Sequence, residues 1–124
     1  MSTVINNVPT SESPRRVEAE GHAALGAYLE ALLSRFGLRA AALSDGFGMV
    51  VGRGRADARA LGALGERCAR GQAPGEEEFE RTTGGADLYA HALSVAGRTM
   101  YLATLGARVR GLHRVTDELS AFVA

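Results

Sequence analysis

Glycine, or a turn-forming residue beside it, stands where the hydrophobic period of this chain changes, and that coincidence restricts the fold more than any other sequence feature. Such residues punctuate regular structure, so the runs between them are the units to assign. Before Gly37, residues Val17, Gly21, Ala24, Leu25, Tyr28, Leu29, Leu32, Leu33 and Phe36 recur at three- and four-residue spacing. That is one apolar face of an α-helix. Ser13 followed by Pro14 supplies an N-cap and a first helical residue. Gly37 stands where a left-handed C-terminal cap belongs. The spacing predicts a helix from Pro14 to Phe36.

Leu38 to Leu43 are almost all apolar, Ser44, Asp45, Gly46, Phe47 and Gly48 carry turn chemistry, and Met49, Val50 and Val51 resume the apolar run. Two strands joined by a tight turn are expected. Alanines 40 to 42 could also propagate a helix, but the flanking glycines leave few residues for one. Asp57 can cap a second helix, with Leu61, Leu64, Gly65 and Cys68 along one face, Arg59, Glu66, Arg67 and Arg70 away from it, and Gly71 closing it. Glycines 62 and 65 each cost this helix about 1 kcal/mol against alanine. Either tertiary packing offsets that loss or another backbone approaches closely there, as at an interface. Gln72 to Gly85 is polar, with Pro74 and an acidic run at Glu76 to Glu78, while Phe79, Thr82 and Thr83 suggest a short exposed edge strand. Asp87 to Val95 and Arg98 to Leu105, joined by Ala96 and Gly97, read as a hairpin. Tyr89, His91, Leu93 and Val95 share one face of its first arm, and Met100 and Leu102 oppose Tyr101 and Leu105 on the second. After Gly106, a final helix carries Val109, Leu112, Val115, Thr116, Leu119, Phe122 and Val123.

This order predicts an α+β fold, an antiparallel sheet of about five strands flanked by helices in the sequence α-β-β-α-β-β-β-α. At 124 residues the chain has room for one core. A single domain over residues 14–124 is expected behind a polar, disordered tail of residues 1–13. The hydrophobic fraction of 46% suits a soluble protein, and no apolar run approaches the roughly 20 residues of a membrane span. Met1 to Pro14 lacks the pattern of a secretory signal, so cytoplasmic residence is the expectation. Fourteen basic and fourteen acidic residues give a formal net charge of zero and no general attraction to nucleic acid or anionic lipid. Every basic residue is arginine and alanine is abundant, which suggests a GC-rich bacterial source.

Catalytic chemistry is sparse. Glycines 46, 48, 52 and 54 invite a phosphate-loop reading, but the GxxxxGK[ST] spacing is missing and the segment joins two strands where a phosphate site would open a helix. His22, His91 and His113 lack paired metal-ligand spacing, and the lone Cys68 cannot supply a structural zinc site. Cys68 would need a histidine beside it to act as a nucleophile; its place on the apolar stripe suits a small core or interface residue. Ser34, Ser44, Ser94 and Ser120 lie in no nucleophile elbow. No cofactor, metal or catalytic residue is assigned. Arg53, Arg55, Arg59, Arg67 and Arg70 form one cluster of like charge, set against Glu76 to Glu78. They make either a solvated, self-balancing surface or a patch that contacts an acidic partner, and an arginine finger in trans is compatible with them.

The element order over residues 17 to 123 resembles the roadblock family, also called the dynein light chain type. Ala42, Leu43, Ser44 and Asp45, then Gly46, Phe47, Gly48, Met49, Val50 and Val51, look like its first hairpin. Tyr101 to Gly106, reading YLATLG before a helix, is similar to its last strand and helix. The resemblance implies a homodimer or heterodimer whose sheets join along the short third strand while the second helices pack together. Leu61, Leu64, Gly65, Cys68 and Phe79 are the interface residues expected here, and the five arginines the partner-binding ones. It also implies small GTPases, motors or scaffolds as partners; similar single-domain bacterial proteins accompany Ras-like GTPases, and some activate them. The expected function is a non-enzymatic dimeric adaptor that binds such a GTPase or a scaffold protein, with regulation of the GTPase as a further role the resemblance allows. Two alternatives remain open: a small-ligand sensor of profilin, PAS or GAF-like architecture, and a hydrolase using Cys68.

Overall fold

A computed structural model describes the backbone of residues 14–123 and the side chains of residues 21–122. The tail at 1–13, and with it Ser13 as a cap, lies outside the described residues. Helix α1 (Pro14–Phe36) ends at Gly37, which takes the left-handed conformation at φ 66°. Strands β1 (Ala40–Ser44) and β2 (Val50–Gly54) follow, then α2 (Ala58–Ala69), α3 (Glu76–Thr83), β3 (Leu88–Val95), β4 (Arg98–Leu105) and α4 (Leu112–Val123).

The four strands make one antiparallel sheet in the order β2-β1-β4-β3. Its central strands are apolar on both sides because helices cover both sides. Ala41, Leu43 and Leu102 pack with Leu29 and Leu32 of α1 and Val115 and Leu119 of α4. On the other face, Ala40, Ala42, Ala103 and Leu105 meet Leu61 of α2. The three alanines therefore form a strand despite their helix propensity: placed between two helical layers, they bury fully and let both approach.

Two expectations are corrected. The edge strand expected around Phe79 to Thr83 is helix α3, so the sheet has four strands where about five were expected. Glu76, Glu77 and Glu78 fill the first turn, where carboxylates favour the positive end of the helix dipole, and Gly84 closes the helix at φ 60°. These terminal signals outweigh the strand preference of Phe79 and the two threonines. The last helix starts at Leu112, leaving Val109 as a buried anchor of the connection between Gly106 and Gly111, both at positive φ.

Candidate interaction surface

The expected interface residues divide. Leu61 and Leu64 are fully buried against the sheet and Gly65 lies over Ala103, so this stripe of α2 is core and offers no surface to a second chain. Cys68 and Phe79 are half-buried. The five arginines do not form one patch. Arg53 lies on the α1 side of the sheet against Gly26 and donates to its neighbour's carbonyl, Gly52 O, at 2.8 Å. Arg55 lines a cleft with Arg39 and Arg81, and Arg59 lines another with His22 and Met49. Arg67 pairs with Glu78, tying α2 to α3. Arg70 pairs with Glu66 at 3.2 Å. Thus the acidic run does partly balance the arginines, through Glu78.

Among the described residues the most exposed large apolar side chain is Phe47, 92% exposed at the tip of the β1–β2 hairpin. The tip is tightly organised. Asp45 Oδ1 accepts from the amides of Phe47 at 2.7 Å and Met49 at 3.1 Å, and Ser44 Oγ accepts from the Gly46 amide at 3.1 Å. Gly46 and Gly48, at φ 81° and 109°, supply conformations that side-chain-bearing residues avoid. Asp and Ser are therefore used here as the acceptors that turn chemistry favours.

Beside Phe47 lies a shallow cleft of about 320 Å³ lined by Asp45, Arg70, Arg98, Thr99 and Tyr101. Arg70 sits 5.3 Å from the centre of the Tyr101 ring and its Nε donates to the Tyr101 hydroxyl at 3.2 Å. Glu66, which holds Arg70, also receives a 3.5 Å bond from Ser44 Oγ. A chain of contacts from Ser44 through Glu66 and Arg70 to Tyr101 fixes the hairpin to α2 and β4. The result is a phenylalanine, a tyrosine and two arginines on a rigid support, the residue types that dominate binding energy at protein interfaces.

Other groups are poor starting points for chemistry. Burial pushes the Cys68 thiol above its ordinary pKa and Glu78 adds to this, against the opposing charge of Arg67. The thiol is the less nucleophilic form. The histidines stand on α1, β3 and α4. Burial first, then the charge of Arg108, lowers the pKa of His91, whose Nε2 is buried without a hydrogen-bond partner. Among the described residues, no three His, Cys, Asp or Glu side chains gather to hold a metal, and no helix is long and apolar enough to cross a membrane. Gly52 packs under Ala58 and Gly54 against the Arg39–Ala40 backbone, so two of the four glycines suspected of cradling phosphate serve close packing.

Sequence reasoning placed Phe47 only as a turn residue. The available signal was a large aromatic between two glycines in an otherwise polar turn. Arg98 and Tyr101 carried no such signal, because their approach to the tip depends on β4 pairing with β1. No family model matches the chain, and no curated protein or solved structure matches it either.

Proposed function

We propose that this chain is a non-enzymatic, dimeric adaptor of the roadblock type that docks a Ras-like GTPase or scaffold protein through the β1–β2 hairpin tip. The observation that carries the docking surface is Phe47, 92% exposed on a turn whose amides are held by Asp45. A phenylalanine side chain has few torsions to freeze on binding, and burying it yields about 1.5–3 kcal/mol. Arg70 and Arg98 beside it suit an acidic partner surface.

The element order departs from the one the resemblance rested on, with helix α3 in place of the third strand; what supports the roadblock reading is an antiparallel sheet with α2 on one face and α1 and α4 on the other. The short third strand along which the resemblance would join two sheets is helix α3, so that seam is not available; self-association is supported instead by β3, whose outer side pairs with no strand among the described residues along Leu88–Val95. A long open edge invites pairing with another chain, and a second copy would extend the sheet. Such an interface draws on Cys68 and Phe79 at their exposed sides, not on Leu61 or Leu64. The raised pKa of Cys68 supports the non-catalytic part of the reading.

The test is affinity capture of the tagged chain from its own cell lysate with GDP and with a non-hydrolysable GTP analogue, beside light scattering of the purified chain. A small GTPase enriched with the analogue and a mass of two chains are expected. A single-chain mass at all concentrations and no GTPase in either state would remove the reading. The ligand-sensor alternative calls for a roomy apolar pocket, whereas the cleft of about 410 Å³ beside α3 is lined by Arg39, Arg55 and Arg81.

A further inference from the structure

Three arginines that are far apart in sequence line this one cleft: Arg39 just before β1, Arg55 just after β2, and Arg81 in the last turn of α3. We propose that the cleft binds the dianionic phosphate of a small phosphorylated molecule. The proposal stands independently of the adaptor reading.

The approach of Arg39 and Arg55 is built into the backbone. Gly54, at φ 100°, lies flat against the chain at Arg39, where a Cβ would come within 2.4 Å of the Arg39 carbonyl oxygen. The Arg55 amide donates to that carbonyl at 3.0 Å, and the Arg39 amide donates to Leu105 O at 2.8 Å. Both arginines are thereby rooted at the same end of the sheet, and α3 brings a third to the cleft they line.

Among the described residues no acid pairs with them. Among the described residues, none of the three guanidinium groups has a hydrogen-bond or ion-pair partner. Elsewhere arginines are drawn to acids or rings: Arg35 and Arg114 to Glu118, Arg67 to Glu78, Arg108 over Tyr89. The one carboxylate lining the cleft, Asp57, accepts from the Ala60 amide at 3.0 Å as the cap of α2. Three arginines against one aspartate leave an excess of two positive charges, which a phosphate monoester dianion matches and a single carboxylate does not. Thr82 also lines the cleft, and the first turn of α2 adds the positive end of its dipole. A volume of about 410 Å³ falls in the range of small-molecule sites, about 300–1,000 Å³, leaving room for a sugar-sized group beyond the phosphate.

The experiment is amide NMR of the full chain titrated with inorganic phosphate and with ribose 5-phosphate, against sodium chloride at matched ionic strength. Saturable shifts at Arg39, Arg55, Thr82 and Gly84 are expected with both phosphates and not with chloride. Arg81→Ala and Arg39→Ala should each weaken binding about tenfold or more, the range of a lost hydrogen bond to a charged group. Arg59→Ala, outside this cleft, should leave it unchanged. Spectra unperturbed away from the cleft establish that each variant is folded. Shifts that chloride reproduces, or affinities unaltered in both Arg81→Ala and Arg39→Ala, overturn the proposal.

Discussion

A Cβ added at Gly65 would fall 2.4 Å from the Cβ of Ala103, so helix α2 meets strand β4 through the two smallest side chains that a helix and a strand can offer. Gly65→Ala gains about 1 kcal/mol of helix propensity, against an overpacking cost of typically 1–3 kcal/mol. We expect a net loss of about 1 kcal/mol in urea unfolding. Among the described residues nothing lies within 4 Å of a Cβ added at Gly21 of α1, so Gly21→Ala should stabilise by up to about 1 kcal/mol. Opposite signs for the same substitution in two helices check the packing directly.

Asp45 organises the hairpin tip through two backbone amides. Asp45→Ala should cost about 1 kcal/mol, the usual net value of such bonds. Amide hydrogen exchange at Phe47 and Met49 should quicken, while exchange in β4 stays as before.

Glu118 joins α4 to α1 by accepting from the Tyr28 hydroxyl at 2.5 Å and from Arg35 at 3.3 Å. The Tyr28 bond first and Arg35 next hold its carboxyl below the ordinary value of 4.5. A depressed folded pKa gives stability that is present above the ordinary value and lost as pH falls through the folded one. The stability difference between the wild type and Glu118→Gln, measured in urea, should be present at pH 7 and shrink as pH drops below 4.5.

His91 behaves in the same sense but in a higher pH window, because its folded pKa also lies below its ordinary value, 6.5. The unfolded chain takes up this proton first as the solution is acidified. Its contribution should therefore lower stability as pH falls through about 6.5 and level off below the folded pKa. His91→Leu, which also removes the unbonded Nε2, should reduce that slope in thermal melts between pH 7.5 and 5 without loss at the upper end.

Helices α1 and α2 and both hairpins were legible because each is bounded by local signals: Gly37, the Ser44–Gly48 turn, Asp57, and the Ala96–Gly97 turn. The region of α3 was misread because Phe79, Thr82 and Thr83 favour strands, whereas its helix is set by charges and glycines at its ends. Glycines 62 and 65 announced a close approach in the sequence but not its partner, which is Val50 and Ala103 of the same chain. The two surfaces were harder still. Tyr101 reaches the hairpin tip, and Arg81 reaches Arg39 and Arg55, only through pairings and packing between distant segments.

The central claim is that the hairpin tip docks a partner, and the most direct measurement compares wild-type and Phe47→Ser chains as bait in the nucleotide-dependent capture. With Phe47 so exposed, the substitution should leave stability within about 0.5 kcal/mol, so any loss of capture reports on binding. The account predicts a small GTPase retained by the wild type with the GTP analogue and lost with Phe47→Ser. Equal capture by both chains would contradict it.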